Sequence, residues 1–183
     1  MLGVAVGLLF GIGWIPIYLF RTEAIQEALP IYDAAERRWV RLAIATVTAH
    51  MTLASILTSL AQPPPRRAVL GILIFASGIA FWFWARPQIG PLAATRRPDQ
   101  PPQALRRDGA FGWVRNPLYF SYLLAAAAPL VVAARPLLLL TFAATCLVLV
   151  VRADQEERRL HDQLGPAYAQ YCRTVKRLIP FVW

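Results

Sequence analysis

Lysine occurs once in this chain of 183 residues, at Lys176, and cysteine and histidine occur twice each. His50 and His161 share no metal-ligand spacing with each other or with Cys146 and Cys172, so no metal site is expected. Cys146 falls within an apolar run and Cys172 in a polar tail. They are not expected to meet, which excludes a structural disulfide. Charge is scarce as well: 16% of residues are Asp, Glu, Lys or Arg, against 57% hydrophobic, and the mean hydropathy is +0.47. A soluble domain of this size would leave the long uncharged stretches unexplained.

What is there instead is a series of five runs with no acidic or basic residue, over 2–20, 42–61, 68–85, 117–134 and 136–151. Each approaches the roughly 17–25 residues that cross hydrocarbon as a helix. The expected fold is therefore all-α, a polytopic membrane bundle of about five transmembrane helices with a cytoplasmic C-terminal helical region. The last two runs are separated only by Arg135 and read as a tight helical hairpin. The first run lacks a basic n-region and exceeds a usual signal h-region, so a retained span is expected. One domain over 1–183 suits the length, with N-terminal spans and a basic, Pro-rich loop over 1–108 and a site-bearing region over 109–183.

The formal net charge of +9 follows topology. If 21–41, 86–115 and the C-terminal tail share one side, that side holds 16 of the 19 Lys and Arg, leaving Arg66, Arg67 and Arg135 opposite. The positive-inside rule places the rich side, and the C-terminus, in the cytoplasm, with the N-terminus outside. The basic residues are dispersed and no recognition motif accompanies them, so anionic lipid is the expected partner and nucleic acid is not. The preference for Arg over Lys, with abundant Ala, points to a GC-rich bacterial genome and so to an inner membrane. Nothing in the sequence fixes an oligomeric state.

Most local features have plain structural explanations. Residues 21–38 read as an interfacial helix or loop, and His50, beside Thr46, Thr48 and Thr52, as a neutral ring bonded to a neighbouring hydroxyl or to backbone. Gln62 and the three prolines after it form a rigid turn. Phe81, Trp82, Phe83 and Trp84 read as an interfacial aromatic belt or, more sharply, as a wall for a lipid ligand. The loop from Arg86 to Asn116 is long enough to be either functional or disordered. No internal repeat is visible.

The last third is different. Arg115 precedes Asn116 and Pro117, where Asn caps a helix and Pro takes its first position. Tyr119 and Tyr122 follow on one face. Arg152 and Glu156 lie four apart, with Glu157 beside them, on a helix leaving the membrane. Gly165-Pro166 stops that helix, and a new one carries Tyr168, Tyr171 and Val175 on one face. Each motif alone could be ordinary surface chemistry, but polar groups gathered at a membrane edge are expensive and usually serve a function.

Together, Gly109 to Tyr119 (GAFGWVRNPLY), Arg152 with Glu156-Glu157, Leu160, Leu164-Gly165, Tyr168, Tyr171, Val175 and Pro180 resemble the isoprenylcysteine carboxyl methyltransferase and phospholipid methyltransferase superfamily, over about the last 70 residues. The resemblance implies an integral membrane methyltransferase using S-adenosylmethionine, with a lipophilic substrate arriving laterally from the bilayer. It implies that Asn116, Pro117, Tyr119, Glu156, Glu157, Leu164, Gly165 and Tyr168 lie near the cofactor. Arg115 and Arg152, with Tyr119, would lie near the reacting group. Many members carry His where this chain has Asn116, and Asn cannot serve as a titrating base. A carboxylate acceptor needs no base, only a cation such as Arg to hold it; an amine or thiol needs Glu or Tyr119 to remove a proton. Two other readings compete. The tail from Leu164 to Pro180 is similar to that of NADPH-dependent membrane sterol reductases, which are much larger. A non-catalytic scaffold or lipid-binding protein would explain the spans but not the motifs.

Overall fold

A computed structural model describes residues 1–28, 33–88 and 105–182, and of residues 16–28 the backbone only. Among the described residues seven α-helices follow one another: α1 (Leu2–Ala28), α2 (Ala34–Leu60), α3 (Pro65–Ala85), α4 (Ala110–Trp113), α5 (Pro117–Ala133), α6 (Pro136–Leu164) and α7 (Pro166–Thr174). A 3-10 turn, Arg86–Gln88, extends α3. No strand is formed among the described residues. The one β-type contact is an isolated parallel bridge between Val114 and Lys176.

Proline and capping chemistry set most of the boundaries. Pro65, Pro117, Pro136 and Pro166 each open a helix at its first turn, where the missing N–H removes no helical bond. Asp33 and Glu36 form a capping box at the start of α2, each side chain accepting from the other's backbone N–H. Of the segment 21–38, read as an interfacial helix or loop, 21–28 continues the α1 backbone, 29–32 lie outside the described residues, and 34–38 belong to α2, because the capping box starts that helix about two turns ahead of its uncharged stretch.

Among the described residues three helices are long and apolar enough to cross a membrane: α2, α3 with its 3-10 turn, and α6. Two shorter apolar segments, Leu2–Ile15 and Pro117–Ala133, accompany them. Their outward faces are hydrophobic. Leu8 and Ile12 of α1, Val69 and Leu73 of α3, and Leu139, Leu140 and Leu147 of α6 are all exposed. An apolar exterior of that extent requires lipid, or another apolar surface, around it.

The interior is built from small residues that let backbones approach. Gly3, Gly7 and Gly11 recur every four residues along one face of α1; a Cβ on Gly7 would lie 2.1 Å from Ser59 Oγ of α2. The Ser55 hydroxyl donates to the Gly7 carbonyl at 2.7 Å across the same contact. The close partner of α5 is α3 rather than α6, which corrects the simple hairpin. A Cβ on Gly78 would come within 2.8 Å of the Ala125 amide, so glycine and alanine bring these two helices together where the larger side chains of α6 do not. Ala134, in a left-handed conformation, and Arg135 still turn the chain tightly from α5 into α6.

His50 joins three helices in the middle of the bundle. Its Nε2–H donates to the Ala126 carbonyl at 2.9 Å, and Nδ1 pairs with the Thr141 hydroxyl at 2.8 Å. A carbonyl can only accept, so Nε2 carries the proton and, in the neutral ring, Nδ1 accepts. The expectation of a hydroxyl or a backbone partner is met by one of each, and they come from α6 and α5 rather than from the threonines of α2. Of the aromatic run, Trp82 is buried in the core while Phe83 and Trp84 face outward, so only part of the run is placed to serve as a belt.

Candidate functional site

The chemistry gathers at the end of the bundle where α2 begins and α6 ends, which Arg159 and Glu36 tie together with an ion pair. Two segments of the chain outside the helices meet there. Residues 114–116 run alongside 176–177, with the Arg115 amide donating to Lys176 O at 2.8 Å and the Asn116 amide to Arg177 O at 3.1 Å. This pairing brings the C-terminal tail under the mouth of α5. Around it lie two polar clusters built on neighbouring residues of α6.

The first centres on Glu157, which is 7% exposed. Arg115 grips its carboxylate as a fork, Nε to Oε1 at 2.9 Å and Nη2 to Oε2 at 3.1 Å. Asn116 Nδ2 donates to Oε1 at 3.0 Å, and Arg177 Nε donates to Oε2 at 3.0 Å. The remaining Arg115 nitrogen, Nη1, donates to the carbonyls of Cys172 (3.2 Å) and Val175 (2.6 Å). Burial pulls the Arg115 pKa down, but the hydrogen bond and charge of Glu157 outweigh it and the net shift is upward. Both oxygens of the Glu157 carboxylate are taken up within the protein, so the cluster is closed around it.

Asn116 therefore does not cap α5 with its side chain, as its position before Pro117 suggests. No side-chain cap bond forms, and the amide turns toward Glu157 and the Arg177 carbonyl instead. The physical reason is charge: a buried carboxylate is a stronger acceptor than helix-end amides are donors in need.

The second cluster centres on Glu156. Its Oε1 accepts from the Tyr119 hydroxyl at 2.5 Å and from Arg152 Nη2 at 2.8 Å. Arg152, 3% exposed, also donates from Nη1 to Gln155 Oε1 at 2.7 Å. Both bonds to Glu156 fall on one oxygen, and its side chain remains 36% exposed. This cluster is open where the first is closed.

The wall beside them comes from the turn after α6. Gly165 sits at φ 52°, ψ −126°, a left-handed conformation in which a β-carbon is strained, so glycine is required for the chain to reverse into α7. That reversal buries Tyr168 and Tyr171, whose phenol pKa values are both raised, first by burial. The Tyr171 hydroxyl donates to Phe111 O of α4 at 2.6 Å, and Arg107 Nη2 donates to Ala167 O at 2.9 Å. Val175, expected on the same helix face, lies just past the end of α7 in extended conformation.

Of the residues singled out in the sequence, Arg115, Asn116 and Glu157 meet in one cluster, and Tyr119, Arg152 and Glu156 in the other. Pro117 starts the helix between them, and Leu164, Gly165 and Tyr168 form the adjoining turn. Arg177 and Asp154, 3.4 Å apart, were missed. Arg177 had been absorbed into the general basic character of the tail, and only the parallel pairing with 114–116 reveals its place. Most of the long loop after Arg86 falls on residues 89–104, outside the described residues. Its two described edges meet, with Gln88 Oε1 accepting from the Ala110 amide at 2.8 Å and Arg106 donating to Gln88 O at 2.9 Å. Among the described residues no group of His, Cys, Asp and Glu could hold a metal, and Cys146 and Cys172 are both free.

Residues 69–162, just over half the chain, match the model of the isoprenylcysteine carboxyl methyltransferase (ICMT) family. The match begins within α3 and ends within α6, so it contains both glutamates, Arg115, Asn116, Tyr119 and Arg152. No curated protein sequence matches the chain.

Proposed function

The chain belongs to the isoprenylcysteine carboxyl methyltransferase family, and from that premise we propose a membrane methyltransferase that takes its methyl group from S-adenosylmethionine. The observation that carries this reading is the coincidence of the family match with the open Glu156 cluster at the polar end of an otherwise apolar bundle. The acceptor is lipophilic and reaches the site laterally along the lipid-facing helices. The two shorter apolar segments complete a bundle of about five spans, in a bacterial inner membrane with the C-terminus cytoplasmic. The Arg159–Glu36 ion pair supports that orientation, since it puts the basic start of α2 and the basic end of α6 on one side.

The donor set suits such a cofactor. A partly exposed carboxylate, held by a phenol and a guanidinium at one oxygen, presents negative charge to a cation. S-adenosylmethionine supplies an electrophilic methyl on a sulfonium centre. Displacement there is in line, so the chain's contribution is chiefly to position and to exclude water. Glu156 would meet the amino group of the cofactor, and Arg152 and Tyr119 fix the Glu156 rotamer. Arg152 also offers a permanent positive charge for an acceptor carboxylate. With an amine or thiol acceptor, Glu156 or Tyr119 receives the proton. Arg115, Asn116 and Glu157, being closed on themselves, hold the floor of the site. Pro117, Leu164, Gly165 and Tyr168 shape its wall.

The test is calorimetric titration of the detergent-purified protein with S-adenosylhomocysteine, with NADPH alongside. Saturable binding of the homocysteine compound alone is the expected result. Binding of NADPH alone would move the chain to a reductase, and a folded protein silent to both would be a scaffold.

A further inference from the structure

One surface is not absorbed by this function. Trp84 at the end of α3, Trp113 of α4 and Phe181 in the tail form a chain of ring contacts, with centroids 6.0 Å apart for the first pair and 6.3 Å for the second. All three are exposed, as are Ile179, Val182 and Phe83. Phe181 is the extreme case. It is 83% exposed and its backbone sits at φ 65°, a left-handed conformation that a bulky residue adopts only at a cost. A strained turn that pushes an aromatic ring into water gains nothing unless the ring is received by something apolar. Leu178, by contrast, is 1% exposed and fixes the segment to the bundle just before it turns outward.

We propose that Trp113, Ile179, Phe181 and Val182 form a non-spanning anchor that inserts into the leaflet beside the polar end of the bundle. The occupant is the bilayer interface, and the argument is continuity. The patch runs on from the exposed face of α3, one of the helices able to span, through Phe83 and Trp84. Aromatic side chains favour that depth, and Arg173 and Lys176 are exposed nearby to meet anionic headgroups. The anchor has a structural consequence: Arg177, whose side chain and carbonyl hold Glu157 and Asn116, stands two residues before Ile179, so seating the tail in lipid also seats the floor of the site. The proposal rests on the reading of this chain as a membrane protein, and its test separates the two.

In a Cys146→Ser, Cys172→Ser background, a bimane fluorophore is attached in turn through Phe181→Cys, Leu140→Cys and Arg158→Cys. The full chain is reconstituted in nanodiscs containing doxyl-labelled phospholipid. Leu140 is an exposed residue of a spanning helix and Arg158 an exposed charged one. Quenching at 181 comparable with that at 140, and little at 158, is the expected result. Quenching at 140 but not at 181 overturns the anchor while leaving the membrane reading intact. Absence of quenching at 140 removes the membrane reading and the anchor with it. A Phe181→Ser variant adds a second readout: it should bind S-adenosylhomocysteine more weakly than the parent in nanodiscs and equally in detergent. An equal affinity in nanodiscs would break the link between tail and site.

Discussion

Glu156 and Glu157 are adjacent in sequence and opposite in circumstance. One helical step turns them about 100° apart, so Glu157 faces the tail and α5's mouth while Glu156 faces Tyr119 and Arg152. Glu157 receives four hydrogen bonds from three side chains and is nearly sealed from solvent. Glu156 receives two on a single oxygen and stays partly open. The difference teaches how two neighbouring acids divide: one neutralises two partly buried cations and sets the frame, the other keeps an open face. Function follows which partners the fold supplies, not the identity of the residue.

The sharpest way to break this contrast is Glu157→Gln. It leaves the guanidiniums of Arg115 and Arg177 without their buried counter-charge and should cost about 3–5 kcal/mol, seen as a lowered thermal midpoint in detergent. Glu156→Gln should leave that midpoint near the parent value and weaken S-adenosylhomocysteine by about tenfold or more, measured calorimetrically, because a charge-assisted contact is lost. If the two variants lose stability and affinity in the same proportion, the division is wrong. Tyr119→Phe sharpens the open side further. One hydrogen bond to Glu156 disappears, and turnover should fall about three- to tenfold with the fold unchanged.

A smaller effect belongs to the turn that walls the closed side. The phenols of Tyr168 and Tyr171 have raised pKa values in the folded protein, so the folded state holds their protons more tightly than the unfolded chain does. Their contribution is therefore complete below the ordinary phenol value of about 10 and declines as pH rises above it. Alkaline unfolding of the parent should begin there. A Tyr168→Phe variant should show a flatter decline over the same range, followed by circular dichroism.

Much of this was legible in the sequence because it depends on local signals. Prolines at helix starts, the Gly165-Pro166 break and the Arg152/Glu156 spacing are short-range, and the structure has them where they were read. The membrane character was legible from hydropathy, and the free cysteines from their separation. What escaped depended on pairing across distance. Asn116 reads as a cap because nothing nearby in sequence says that a carboxylate 41 residues on will claim its amide. Gly3, Gly7 and Gly11 stand four residues apart in the sequence, yet nothing there names α2 as the helix they admit. Arg115 and Glu157 were both picked out, yet their bond to each other was not, since sequence order separates them by two helices.

The parallel clasp of residues 114–116 with 176–177 bears on how the protein is made. Lys176 and Arg177 are synthesised after the whole of α5 and α6. During that interval Asn116 has no carbonyl to meet and Glu157 lacks one of its two cations. The floor of the site is thus completed only after both helices that carry it are made, and a chain cut short of Arg177 would keep Arg115 as the one cation on Glu157.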